Sequence, residues 1–252
     1  MTMQNPNLLY DSRFKDATPA ASTTAAGFNV LNLTDWRPYT WWKPTALPAT
    51  VTVDCASAKA ADYCAVWGHD LFTQGATLEV RGSTDNFSAS NVLVASKTPT
   101  DNKPFLIQFG SVSYRYWRLR ITGTTMPSLA IAAIGAALLM PTHVQYGFDP
   151  LERTVREQTN RSNDGHPLGK VIEYESWNAS LTFRNVTPAW LRATFEPAWK
   201  AHLRGNPFLF AWDAGDHADE LYLVQAGSKL TTPHTLTTLA DLSFDISGLS
   251  LA

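Results

Sequence analysis

The sequence is short of cysteine, of charge and of long apolar runs, and each shortage argues against a class of protein. Cys55 and Cys64 are the only cysteines in 252 residues. Neither has a second cysteine or a histidine at metal-ligand spacing, so no zinc pattern forms, and free thiols are expected in a reducing compartment. The longest apolar run, LAIAAIGAALLM at 129–140, has twelve residues. That is well below the ~20 needed to span a bilayer as a helix, so it reads as a buried element and no membrane insertion is expected. Charged residues make up 17% and the formal net charge is −2. This argues against a nucleic-acid binder, whose affinity rests on clustered Lys and Arg neutralising phosphates. The opening MTMQNPNLLYDSRFKD lacks the basic flank and apolar core of an export signal, so synthesis in the cytoplasm is expected.

What the sequence does have is apolar and aromatic surface. Hydrophobic residues reach 44%, with nine Trp, enough for a sizeable core. The length suits one large domain or two ordinary ones. Residues 1–27, Ala/Thr-rich from position 17, read as an extended N-terminal arm ordered against a partner. Residues 28–140 carry short strand-like runs (ATVTVDC, YCAVWGH, ATLEVRGS, NVLVASK, FLIQFG, YRYWRLRITG, LAIAAIGAALL) broken by Gly, Pro, Asn and Asp, the pattern of a β-sandwich.

Two prolines and a glycine in MPTHVQYGFDP, 140–150, mark a domain boundary. Residues 141–252 then read as a smaller α+β unit with a mainly antiparallel sheet. Strands RTVREQT and KVIEYESWNASLTFRNV flank the turn-rich NRSNDGHPLG, and one helix, TPAWLRATFEPAWKAHLRG, follows at 187–205. Thr187 caps it, Pro188 suits its first turn and Gly205 ends it. Leu191, Phe195, Ala198, Trp199 and His202 share one face, and Pro197 is expected to kink or split it. PFLFAWD, ELYLVQAG and TLADLSFDISGLSL supply the closing strands.

No catalytic, cofactor or metal site is expected. WDAGDHADE gathers Asp213, Asp216, His217, Asp219 and Glu220, but without the ligand alternation and terminal bidentate Glu of a calcium loop a solvated hairpin loop is the preferred reading. Glu173 and Glu175 share a strand face, roughly 7 Å apart as in paired glycosidase carboxylates, yet two glutamates on a solvent-facing strand give the same pattern. GHPLGKV at 165–171 is one residue short of a phosphate-binding loop and has Val where Ser or Thr must meet magnesium. There is no G-x-S-x-G or H-E-x-x-H, and the six histidines stand singly.

Two aromatic segments are the candidates for contact. DWRPYTWWKP, 35–44, interleaves Trp36, Tyr39, Trp41 and Trp42 with Arg37 and Lys43. The rings suit stacking on sugars, and equally suit closing a sandwich end or filling a subunit interface. In SYRYWRLRITG, 113–123, strand alternation puts Trp117, Leu119 and Ile121 on one face with Arg115 near the sheet end. Tyr114, Tyr116, Arg118 and Arg120 fall on the other, expected as a protein–protein contact surface ahead of a sugar or nucleic-acid contact.

Three stretches, in order, resemble the signature segments of discoidin-like domains, the F5/8 type C or galactose-binding-like jelly rolls. They are the entry strand ending in Val53-Asp54, Ser83-Thr84-Asp85 after the Gly-Ala-Thr strand, and Arg115-Tyr116-Trp117-Arg118-Leu119. The resemblance implies a jelly-roll β-sandwich that binds sugars, lipids or proteins through variable loops. The cysteine pair at the domain ends of many extracellular members is missing. The whole layout, with TWWKPTALP and NPFLFAWD, is similar to tail-tip or baseplate proteins of long-tailed bacteriophages. That similarity implies a non-enzymatic virion protein of the tail, oligomerising around the tail axis and joining tail tube, hub or fibres. The alternative is a carbohydrate-binding adhesion module contacting host surface glycans.

Overall fold

A computed structural model of the chain describes residues 3–145, 148–236 and 238–249. It is mainly β, with two antiparallel sheets and one helical segment. The strands are β1 (Asn7–Leu9), β2 (Ala20–Ala21), β3 (Ala49–His69), β4 (Thr77–Ser83), β5 (Val92–Lys97), β6 (Phe105–Thr122) and β7 (Leu129–Gly135). They continue with β8 (Leu138–Leu139), β9 (Thr154–Arg161), β10 (Pro167–Val186), β11 (Phe208–Ala211), β12 (Leu221–Thr231), β13 (His234–Leu236) and β14 (Leu239–Leu249).

The first sheet runs β2-β3-β6-β4-β5, with β7 added to the far half of β3. Four expected short strands are in fact two long ones. ATVTVDC and YCAVWGH are both parts of β3, and FLIQFG and YRYWRLRITG are both parts of β6. The stretches between them, rich in Ala and Ser, contain no proline, and register slips between Asp54 and Lys59 and between Ala61 and Tyr63 absorb the bend that a turn would otherwise make. Alternation of burial is kept before the slips, and beyond them Tyr63 to Trp67 are buried on both faces. Ala49, Val51, Val53 and Cys55 are buried, as are Trp117, Leu119 and Ile121 opposite. Gly82 in β4 lies so close under Tyr114 that a Cβ would meet its ring at 2.1 Å, which requires a glycine there.

The second sheet runs β8-β1-β11-β12-β14-β10-β9, with β13 beside β14. The helical segment lies on it, burying Leu191, Phe195, Ala198, Trp199 and Leu203 against Phe183, Leu242, Phe244 and Ile246. Thr187 Oγ1 accepts from Trp190 N–H as its cap. Pro197 does not split it, because wide π turns at Leu191–Phe195 and Trp199–Leu203 flank Glu196–Ala198. These turns bond i to i+5 and so reroute the ladder around the imino nitrogen. His202 turns from the helix to the Pro207 carbonyl at 2.9 Å.

The leading residues are woven into both sheets. Asn7–Leu9 are buried between β8 and β11, Phe14 enters the first core, and Ala20–Ala21 pair with β3. The chain passes from the first sheet to the second between Gly135 and Leu138. A third apolar cluster lies between the sheets, where Tyr63, Trp67, Leu106 and Ile131 meet Leu209, Leu221 and Leu223. Among the described residues no helix is long and apolar enough to cross a membrane.

Candidate functional site

The loop between Leu33 and Ala49 carries DWRPYTWWKP to the seam between the two sheets, where three of its four rings go inward. Trp42 is buried, its indole N–H donating to Thr24 Oγ1 at 3.2 Å and its main chain bridging to Leu129. Trp36 is buried with a left-handed backbone, φ 60°, a conformation that a bulky residue keeps only where packing enforces it. Lys15 Nζ sits 4.7 Å over its ring, and burial there pushes the Lys15 amine down to about 8. Trp41 is half-buried beside Gly68, its carbonyl accepting from Asn32 Nδ2 at 2.7 Å. Tyr39 is 71% exposed.

Tyr39 rims a groove of about 620 Å³, with Arg37 and Pro38 on its own wall and Asn178, Gln225 and Ser247 on the second sheet. Asp35 is occupied in the turn, accepting from Arg37 N–H at 2.9 Å and from Thr40 Oγ1 at 2.8 Å. An open ring facing amide, hydroxyl and guanidinium groups can stack on one face of a saccharide and bond its hydroxyls.

The outer row of β6 is not uniform. Tyr114 leans inward over Gly82, edge-on to Trp117 at 5.5 Å. Arg115 grips Asp54 with two 2.8 Å bonds and lies 4.9 Å from the Tyr116 ring. Those bonds hold the Asp54 carboxyl down to about 2. Arg120 bonds Glu79 at 2.9 Å, and Arg118 lies 3.6 Å over Phe87.

The β9–β10 hairpin is a surface the sequence did not single out. Residues 154–161 and 167–175 are exposed on both faces. Adjacent Val171 and Ile172, which point to opposite faces, are 61% and 57% exposed. Leu168, Val155 and Tyr174 are exposed as well. Among the described residues β10 meets β14 from Ser176 inward, and its outer part pairs with β9 as a two-stranded ribbon. KVIEY breaks the one-face alternation, and that departure was the available signal.

Four of the six acidic candidates, Asp213, Asp219, Glu220 and Glu173, are engaged structurally. Asp213 is buried and accepts from the backbone of Gln4, Gly215 and Asp216. Asp219 pairs with Lys103, Glu220 accepts from Trp212 Nε1, and His217 stacks on Trp212. Glu173 is bound by Arg156 on the exposed ribbon, away from any groove wall named above. Among the described residues no three His, Cys, Asp or Glu side chains converge to hold a metal. Both cysteines are free and buried, and burial pushes the Cys55 thiol up to about 12.

No protein-family model matches the sequence, and no curated protein matches it. Several solved structures do, all over about half of this chain. Chitosan-binding module 1 of a chitosanase/glucanase from Paenibacillus sp. IK-5 is 19% identical, covering 50% of this chain and 98% of its own, with a TM-score of 0.42. The family 32 carbohydrate-binding module of C. perfringens NanJ, in complex with galactose, is 16% identical over 51% of this chain and 98% of its own, with a TM-score of 0.42. The family 32 module of AlyQ, in complex with 4,5-unsaturated mannuronic acid, is 23% identical over 50% and 96%, with a TM-score of 0.40.

Proposed function

We propose that this chain is a non-catalytic structural protein that assembles with copies of itself through the β9–β10 ribbon, and that it serves in the tail tip of a long-tailed bacteriophage. The observation that carries the assembly reading is the ribbon. It projects roughly 30 Å at strand rise, with apolar side chains on both faces, and a lone two-stranded hairpin is at best marginally stable in water. A partner surface is what would make its Val, Ile, Leu and Tyr stabilising.

A second copy fits that surface best. The ribbon's charges are nearly balanced, three cationic against four acidic side chains over 154–175, with Arg156 paired to Glu173 and Lys170 to Glu157, so it brings little net charge that calls for an oppositely charged partner. Among the described residues the same sheet ends in β9 on one side and in β8, with Leu139 exposed, on the other. Joining unlike edges is a head-to-tail contact, which closes into a ring if the rotation allows. The placement in a phage tail, with other tail proteins as neighbours, rests on the resemblance of layout alone.

Sedimentation velocity tests the assembly. The expected result is an oligomer for the native chain and a monomer for the Val171→Glu, Ile172→Glu double variant with unchanged near-UV dichroism. A native monomer overturns it, and ring-shaped particles by negative-stain microscopy would support the tail-tip placement.

A second reading, a carbohydrate-contacting adhesion module within such an assembly, is favoured by the Tyr39 groove. Loss of saccharide binding on Tyr39→Ala with folding retained would support it, and a silent glycan array would remove it.

A further inference from the structure

We infer that the Ser83–Ser90 loop and the facing arginines form an anion site that takes the carboxylate of an acidic saccharide. This deepens the carbohydrate-contacting reading and rests on it for the sugar part of the ligand.

The site starts from a charge imbalance. Arg81 and Arg118 stand directly opposite each other on β4 and β6, an arrangement of like charges that destabilises a sheet. Glu79 is engaged twice, by Arg81 Nε at 2.8 Å and by Arg120 Nη1 at 2.9 Å. Two of the three guanidinium groups on this face thus share one carboxylate, and the third, Arg118, makes no ion pair among the described residues. Arg118 itself donates from Nε to Thr52 Oγ1 at 2.8 Å, and its two terminal nitrogens have no acceptor among the described residues. Partial burial and the Arg81 charge both push against its protonated form, so a bound anion would relieve this face.

Arg118 is also held in place at a cost. Its guanidinium lies 3.6 Å from the centroid of the Phe87 ring. To put that ring there, Asn86 and Phe87 both adopt left-handed backbone, φ 59° and 64°, which non-glycine residues avoid. A knot of hydrogen bonds maintains them. Ser83 Oγ accepts from Phe87 N–H at 2.8 Å, and the Asp85 carboxylate accepts from Ser88, Ala89 and Ser90 N–H and from Ser83 Oγ. These bonds hold the Asp85 carboxyl below its ordinary range and turn it to the loop rather than to the arginines. Backbone strain persists where the surroundings over-determine it, and such places cluster at ligand clamps.

A planar carboxylate matches guanidinium forks better than a point charge does. The rest of the face fits a sugar. Leu93, paired across from Arg81 and half exposed, offers an apolar shelf for ring C–H groups. Asn91 accepts from Arg81 Nη1 at 2.9 Å, leaving its amide N–H groups for hydroxyls.

Calorimetric titration with a galacturonate hexasaccharide, and with the neutral galactose hexasaccharide as control, tests this at low salt. The native chain should bind the uronate about ten-fold or more tighter, the scale of a hydrogen bond to a charged group. Arg118→Gln should erase that difference, and Phe87→Ala should reduce it, with melting temperature and oligomeric state unchanged. Undiminished uronate binding by Arg118→Gln overturns the inference. So does equal affinity for a glutamate hexapeptide, which would make the site one for protein carboxylates. If the neutral sugar binds through Tyr39 and the uronate gains nothing, this inference falls and the carbohydrate-contacting reading stands. If neither sugar binds, both fall.

Discussion

One strand, β10, lives in two environments. Its inner part alternates between core and surface from Trp177 to Phe183, as a half-buried strand should, before a bulge shifts the register ahead of Val186. Trp177, Leu181 and Phe183 are fully buried, while Asn178 and Ser180 face out. Its outer part, from Pro167 to Glu175, has neighbouring apolar residues on opposite faces, both exposed among the described residues. The backbone pairing is of the same kind throughout, so the difference comes from the side chains. The inner half specifies one buried face and therefore one register. The outer half specifies two apolar faces, which a single domain leaves uncovered and an assembly can cover.

Substitutions a few residues apart should separate the two halves, and the largest effect belongs to Trp177. Its ring stacks on Tyr222 at 4.3 Å and meets Phe148 edge-on at 6.0 Å. Trp177→Ala should cost about 3–5 kcal/mol in urea unfolding, the usual range for a large aromatic removed from a core. Tyr174→Ala, three residues away on the ribbon, should stay within about 0.5 kcal/mol for the monomer. A comparable loss at both positions would break the distinction. Next in size is Asp213→Ala. It strips an acceptor from three backbone N–H groups, one of them at Gln4, just ahead of β1, and should cost about 1–3 kcal/mol.

How much of this was legible depends on length and period. Alternation over many residues placed Trp117, Leu119 and Ile121 in the core of β6, and cap, spacing and turn residues located the helix and the hairpin with its turn. β1 was not legible, because three residues, Asn7 to Leu9, are too few to show a period, and their burial depends on the distant strands β8 and β11. The aromatic loop was legible as composition and not as placement. Sugar stacking and end-closing ask for the same rings, and the left-handed turn at Trp36 that sends it inward is set by the packing around it. The Ser83-Thr84-Asp85 segment marked the fold by resemblance, while its role in straining Phe87 onto Arg118 appears only with the loop's hydrogen bonds.

A smaller effect should come from pH, and it belongs to the body rather than the ribbon. His69 accepts from Leu71 N–H at Nδ1, 3.3 Å, with Nε2 2.7 Å from the Lys103 carbonyl, so the neutral form with the proton on Nε2 satisfies both. Burial lowers the pKa of His69 and of His202. The folded state therefore binds fewer protons than the unfolded chain, whose imidazoles titrate near ~6.5. Stability from this source is complete above that value and is lost as pH falls through it toward the depressed folded values. Asp11 and Asp62, whose carboxyls burial raises, act in the opposite sense, starting from the unfolded carboxylate range near ~3.9. Between about pH 7.5 and 5.5 the melting temperature should fall, and less so in the His69→Gln, His202→Gln variant. An equal slope in both would assign the dependence elsewhere.

The smallest expected change in stability carries the sharpest test of the comparison. Removing residues 157–173 and joining Arg156 to its cross-strand partner Tyr174 through Asn-Gly takes away Val171 and Ile172 and cuts the ribbon back toward Ser176, where β10 meets β14. Asn-Gly supplies the two positive φ values that a tight hairpin turn needs. None of the excised residues belongs to the three buried clusters, so the melting temperature of the monomer should move little. The sedimentation coefficient of the native protein should meanwhile collapse to that of a single copy. A shortened chain that still assembles would place the subunit contact elsewhere on the molecule, and a shortened chain that unfolds would make the ribbon part of the body after all.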